Sequence, residues 1–172
     1  TEIVNRWWGI PIDYEANDLQ EIPTSYTSRE RDGMFLREEA LEAAIKLVDA
    51  SRAAGEELQI ASPYRSGERQ QRIYNRNVRR NPAQRSSAPP GHSEHQLGLT
   101  IDFSNPVTGR FLRNTDSCYL WLKENGPKFG FRQTYLADNT EETGYIEEPW
   151  HWRYIGVENS MKDGWTISDV IQ

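Results

Sequence analysis

The chain has 172 residues, near the usual size of one globular domain and long enough to bury a core, so one domain over residues 1–172 is expected. Its 20 Lys+Arg against 26 Asp+Glu give a formal net charge of -6, which argues against general affinity for nucleic acid or an anionic membrane. No run approaches ~18 consecutive apolar residues, the mean hydropathy of -0.82 excludes an integral membrane segment, and 11% aromatic residues argue against disorder.

Residues 1–30, with Trp7, Trp8, Pro11, Tyr14, Pro23 and Tyr26, lack periodicity and read as an extended arm whose aromatics pack on the body. From Leu36 to Ala54 the apolar positions Leu36, Ala40, Leu41, Ala44, Ile45 and Val48 fall at helical spacing, and Gly55 suits a C-terminal cap. Leu58 to Ser62 reads as a strand that delivers Tyr64 and Arg65 to its end. Ser66 then caps a helix over Gly67 to Arg80, with Ile73 and Val78 inward and Arg69, Arg72, Arg76 and Arg79 on an outer face. Asn81 to Ser93 is a loop rich in Pro, Gly and Ser. Leu99 to Phe103 alternates as a strand with one buried face, which turns Asp102 away from Leu99, Ile101 and Phe103. A helix capped by Asn114 or Thr115 runs to Asn125, and Phe129 to Thr134 reads as a strand. The last strands are Tyr145 to Glu148 and His151 to Ile155, with Trp150, Trp152 and Tyr154 on one face and His151 and Arg153 on the other. A short turn and helix are expected over Asp163 to Ile171.

The single cysteine, Cys118, excludes an intrachain disulfide and a cysteine-based zinc knuckle, so a metal site must use His and carboxylates. His95 and Asp102 are seven residues apart, which along a straight strand sets them on opposite faces; Gly98 between them is free to make the bend that brings them together. In Glu148-Pro149-Trp150-His151 the proline forbids the helical zincin geometry and presents Glu and His from a kinked segment. His95, Asp102 and His151 form a two-imidazole, one-carboxylate set suited to catalytic zinc, with a fourth position for water and Glu148 beside it as general base. Calcium or magnesium would ask for more oxygens. Zinc can move the pKa of water from about 15.7 to about 7, while a positioned carboxylate adds roughly 100- to 10,000-fold, so the metal is the larger effect. Taken singly, none of these signals is specific. His95 with Asp102 is more often a structural hydrogen-bonded pair, Glu148 a solvated carboxylate, Arg65 an ion-paired surface residue, Ser93 a turn residue and His92 a loop histidine.

Together the residues resemble the VanY-type D-alanyl-D-alanine carboxypeptidases, zinc peptidases of cell-wall metabolism that share a metal-site architecture with lysostaphin-type enzymes and the hedgehog domain. The Ser-x-His-x6-Asp signature appears as Ser93, His95 and Asp102, the Glu-x-x-His signature as Glu148 and His151, and the Tyr-Arg-Ser-x3-Gln element as Tyr64, Arg65, Ser66 and Gln70. Thr100 departs from the alanine common two residues before the Asp. The resemblance implies an α+β fold with a small central antiparallel sheet flanked by helices. It implies one zinc ion on His95, Asp102 and His151, with Glu148 as base and Arg65 facing the scissile carbonyl and terminal carboxylate. Ser93 and Gln70 would hydrogen-bond the peptide.

The expected activity is removal of the terminal D-alanine from peptidoglycan stem peptides. L,D-cleavage of tetrapeptide stems, a peptidoglycan endopeptidase and a non-catalytic zinc-containing module are the alternatives. The partner is then a stem peptide, not nucleic acid, and the location extracytoplasmic, with an export signal, if one existed, removed or left out, and a monomer assumed. Between Arg65 and Arg85 stand seven Arg and one acid, Glu68, a stretch that reads first as a solvated helix face and second as an attractor of anionic wall polymer.

Overall fold

The alternation of apolar and polar residues in short strands needs a cover for its apolar side, and the computed structural model, which describes residues 3–164 and 166, supplies it with two helices. The central strand β4 (Thr100–Asn105) pairs with β3 (Gln59–Ser62) on one side and β7 (His151–Tyr154) on the other, and β6 (Phe131–Gln133) completes the path beyond β7. The two-residue strand β5 (Arg110–Phe111) also pairs with β4, and every pairing is antiparallel. On one face Ile60, Ile101, Phe103, Phe131 and Trp152 are buried. Against them lie Leu41, Ala44, Leu47 and Val48 of α1 (Glu38–Ala53) and Cys118, Tyr119 and Leu122 of α3 (Ser117–Asn125). Each Leu-sized side chain so buried contributes roughly 1.5–3 kcal/mol relative to exposure, so this face carries most of the cohesion.

The alternate residues of β4, Thr100, Asp102 and Ser104, point to the other face, as do His151 and Arg153 of β7. The helix α2 (Gly67–Arg80), capped by the Ser66 hydroxyl accepting from Arg69 N–H, and the loop after it wall that polar face. Ile73 and Val78 of α2 are half-buried, while Arg69, Arg72, Arg76, Arg79 and Arg80 are exposed, and Arg72 lies 3.9 Å from Glu68.

Several sequence expectations need correcting. The first helix begins at Glu38, because Leu36 belongs to β2 (Phe35–Arg37), which pairs with β1 (Leu19–Glu21) in a two-stranded ribbon inside the segment expected to be an arm and just after it. Leu36 is fully buried in the same core, so its apolar signal was genuine but belonged to a strand. Trp7 and Trp8 do not pack on the body: they are 61% and 67% exposed, their backbone N–H groups held by Asn5 Oδ1. The arm is fastened by polar contacts instead. The Gln96 amide donates to the carbonyls of Pro11, Ile12 and Tyr14, and His92 Nδ1 lies 2.9 Å from Asn5 O. Ile12 passes so close to α2 that a Cβ on Gly67 would lie 2.1 Å from Ile12 O, which is why that position carries no side chain. Residues 145–148 form no strand; Gly144 at φ +77° and the turn at Pro149 bend the chain on either side. Asp116, not Asn114 or Thr115, precedes α3, and a 3-10 turn over Gly126–Phe129 replaces the start of the expected strand. The chain continues into α4 (Thr140–Thr143) and α5 (Val157–Ser160). Beyond a turn at residues 163–164, the turn-and-helix reading of Asp163 to Ile171 lies outside the described residues.

Candidate active site

The register of β4 against β7 sets Asp102 directly opposite His151, so their side chains emerge side by side on the polar face. His95 arrives from a 3-10 turn over Glu94–Leu97, and the chain then reverses at Gly98, whose φ of +72° and ψ of 15° lie in the left-handed region. This is the bend that a seven-residue offset demands. A Cβ on Gly98 would sit 2.9 Å from both Arg37 Cγ and Leu19 Cδ2, so glycine is required there for conformation and for space. Gly98→Ala is expected to lower the unfolding free energy in urea by about 2 kcal/mol, the left-handed cost plus the collision; an unchanged midpoint would show that the bend tolerates a side chain.

Three ligand atoms, one each from His95, Asp102 and His151, lie within 4.8 Å of one another, all buried. His95 Nε2 and His151 Nδ1 are each 3.1 Å from Asp102 Oδ1. The outer nitrogens are already committed. His95 Nδ1 lies 2.8 Å from Pro63 O, a carbonyl that can only accept, so Nδ1 carries the proton and the inner Nε2 of the neutral ring turns a lone pair toward a carboxylate oxygen. His151 Nε2 likewise donates to Glu94 Oε2 at 2.9 Å. A lone pair that faces a carboxylate oxygen in a buried site, as at His95, is complemented by a cation, and the outer hydrogen bonds fix both rings as they do around metals. The residues therefore fit a metal ion of imidazole and carboxylate preference.

The ionisation of Asp102 and His95 agrees with this. Burial alone would push Asp102 up, but His95 and His151 beside it hold the carboxyl well below the usual carboxylate range. Burial lowers His95. For His151 burial is outweighed by its hydrogen bonds to Asp102 and Glu94, which raise the imidazole to about 10 in the metal-free protein.

Glu148 is positioned by a β-turn. Pro149 fills the position that favours proline, and His151 N–H closes the turn on Glu148 O at 3.0 Å, which sets the two side chains together without a helix. Glu148 Oε2 is 3.5 Å from His151 Nδ1, beside the three-atom cluster and outside it, and burial pushes its carboxyl up to about 7. Arg65 reaches the same cavity from the end of β3, where its backbone N–H donates to His95 O. Its Nη1 donates to Gln70 Oε1 at 2.7 Å and its Nη2 to Ser62 Oγ at 2.9 Å, and it stands 3.9 Å from Asp102 Oδ2. Gln70, buried, spends its other end on Ala88 O at 2.6 Å, so both ends of its amide are taken by protein and it orients Arg65 and the loop. Ser93 is buried and lines the same cavity of about 210 Å³, which Trp150, Tyr135 and Phe111 also wall. The Thr100 hydroxyl, on the same face, is buried without a partner.

Sequence reasoning missed Glu94, Arg153 and Tyr135. Arg153 Nη1 donates to Glu94 Oε1 at 2.8 Å, and Arg153 and His151 together hold the Glu94 carboxyl down to about 2 against the opposing effect of burial. Tyr135 stacks on His151 with centroids 4.4 Å apart. Glu94 adjoins His95, and Arg153 shares the face of His151, but a pairing across 59 residues leaves no periodic trace. Glu94→Gln is expected to weaken metal binding roughly 10- to 100-fold. It should also lower stability by about 3 kcal/mol, since the buried Arg153–Glu94 ion pair is broken. Metal titration and urea unfolding check both; wild-type values in both would show that Glu94 orients nothing.

A family model described as VanY, D-alanyl-D-alanine carboxypeptidase, matches residues 33–157. A D-alanyl-D-alanine carboxypeptidase of Enterococcus faecalis is 35% identical over 173 residues, covering 93% of this chain and 60% of its own length. The chain thus spans about six tenths of the length of this relative and of a Bacillus subtilis relative that it also matches. Among solved structures, the LdcB LD-carboxypeptidase aligns with a TM-score of 0.87 at 32% identity over 98% of this chain and 83% of that one. A zinc complex of the vancomycin-resistance D,D-pentapeptidase VanY aligns with a TM-score of 0.79 at 32% identity over 99% and 98%. The α+β fold expected from the motifs is the fold of these proteins, and the chain belongs to the VanY D-alanyl-D-alanine carboxypeptidase family.

Proposed function

We propose that this chain is a zinc-dependent D,D-carboxypeptidase that removes the terminal D-alanine from peptidoglycan stem peptides. The observation that carries the reading is one cavity in which His95, Asp102 and His151 converge while Glu148 and Arg65 are fixed beside them. His95, Asp102 and His151 would hold the ion, and the zinc complex of a VanY relative supports the choice of metal. Zinc, when bound, supplies a Lewis acid and lowers the pKa of water from about 15.7 to about 7.

The chain's own residues do the rest. Glu148, with a carboxyl raised to about 7, suits both directions of proton transfer near neutral pH. It takes the proton from the attacking water as the new C–O bond forms, then delivers it to the departing amine as the C–N bond breaks. Arg65, its guanidinium plane fixed by Gln70 and Ser62, presents its remaining donors to the scissile carbonyl oxygen and the substrate's terminal carboxylate. Ser93 hydrogen-bonds the peptide, while Gln70 contributes through Arg65. The described residues act as one catalytic domain with the arm as part of it, since Gln96 ties residues 11–14 to the turn that carries His95. Among the described residues no helix is long and apolar enough to cross a membrane. The substrate sets an extracytoplasmic location.

A second reading is L,D-cleavage of tetrapeptide stems, favoured by the 0.87 TM-score to an LD-carboxypeptidase. Release of free D-alanine from matched L-Lys-D-Ala-D-Ala and L-Lys-D-Ala stems, measured with zinc and after chelation, separates the two. Zinc-dependent release from the first supports the D,D reading; release from the second alone replaces it with the L,D reading.

A further inference from the structure

Beside the catalytic cavity lies a second one of about 480 Å³, and its walls carry Arg29, Arg31, Arg65, Arg69 and Arg110. Arg65 and Phe111 wall both cavities, so a chain lying in the first can continue into the second. The reaction derived above uses none of Arg29, Arg31, Arg69 and Arg110. Among the described residues none of these four forms an ion pair with a carboxylate. Cations that face one concavity without counter-charges repel one another, and an anion seated there relieves that repulsion.

Ser104 is an independent pointer. It is 2% exposed, it lines this cavity, and its Oγ has no hydrogen-bond partner. Buried hydroxyls are normally satisfied, so an acceptor brought by a ligand completes this one. Ser104 stands two residues beyond Asp102 on the same face of β4, about 7 Å along the strand at ~3.4 Å per residue. That is about two residues of an extended peptide. Arg31 is also held in place, with Nε donating to Ser28 O at 3.2 Å and Nη2 donating to Ala61 O. Arg29 lines the same cavity at φ +63°, a left-handed conformation that side chains other than glycine adopt at a cost.

Resting on the carboxypeptidase reading, we infer that this cavity is a subsite for a second carboxylate of the stem peptide, carried by an acidic residue about two positions from the scissile bond and distinct from the terminal carboxylate. Guanidinium groups and a serine hydroxyl all donate, so a carboxylate satisfies them. A primary amide offers one accepting oxygen and no charge, so it satisfies fewer of these donors and neutralises none of them. The subsite therefore selects peptides whose acidic residue is free over those in which it is amidated.

The test uses zinc-loaded Glu148→Gln protein, which binds without turnover, and two stem peptides that differ only in whether that acidic residue is a free carboxylate or an amide. Calorimetry at low salt is expected to show the free acid binding about tenfold more tightly. Adding Arg69→Gln and Arg110→Gln, two exposed positions, narrows the difference to under about threefold, and Ser104→Ala narrows it as well. With wild-type enzyme the preference appears in KM. Equal affinity for the two peptides overturns the inference, as does a preference that survives the double substitution. So does equal binding of the peptides while a soluble phosphodiester polymer is the ligand the double variant loses. Cleavage of both peptides at equal KM sinks the subsite and leaves the carboxypeptidase reading intact. Cleavage of neither removes that reading, and the calorimetric comparison still decides the subsite.

Discussion

Glu148→Gln is expected to lower kcat roughly 100- to 10,000-fold, the range a positioned carboxylate supplies as general base, while zinc stoichiometry stays at that of the wild type. The separation of the two readouts follows from the geometry: Glu148 Oε2 stands 3.5 Å from His151 Nδ1 but outside the three-atom cluster. If zinc were lost together with activity, Glu148 would be a ligand and the assignment of roles would change. Stability gives a second check with a definite sign. Burial raises the carboxyl from its ordinary 4.5 to about 7, so in the folded metal-free protein ionisation is disfavoured, and stability falls as pH rises through that interval. Gln carries no such penalty. Metal-free Glu148→Gln is therefore expected to be more stable than metal-free wild type above pH 7, with the difference fading below pH 4.5.

His95→Ala has the other large effect. It removes one of the three proposed ligands and the hydrogen bond to Pro63 O that orients the ring, and the expected loss of zinc affinity is roughly 100- to 1,000-fold. Activity at limiting zinc falls to background. Binding to the folded state alone stabilises by about 2.7 kcal/mol at 100-fold excess over Kd, so zinc should raise the melting temperature of wild type and leave the variant's unchanged at the same concentration. A variant that still responds to zinc like wild type would move the ion elsewhere.

The parts of the site legible in the sequence were those whose chemistry is local. The offset from His95 to Asp102 with a glycine between them demanded a bend, and Gly98 makes it in the left-handed region. Strand alternation turned Asp102 off the apolar face, and the register with His151 completed the pair. Pro149 excluded a helix between Glu148 and His151, and a β-turn stands there. What stayed hidden was set by tertiary pairing. Glu94 looked like one more polar residue beside His95 until Arg153, 59 residues away, was seen to neutralise it. Leu36 carried a core signal that fits a helix and a strand equally, and it went to the wrong element. Trp7 and Trp8 violated the expectation that aromatics near a terminus bury, because Asn5 holds their backbone and leaves the rings outside. The arginines of the second cavity come from three separate stretches of chain, and only folding assembles them.

Mass spectrometry of the products from zinc-loaded wild-type protein, offered stem peptides with a free and with an amidated C-terminus, decides whether the chain is a carboxypeptidase. Loss of one D-alanine from the free peptide and none from the amidated one is expected, since Arg65 is proposed to hold the terminal carboxylate. Internal cleavage of the amidated peptide, or no product from either with zinc bound, would contradict that reading.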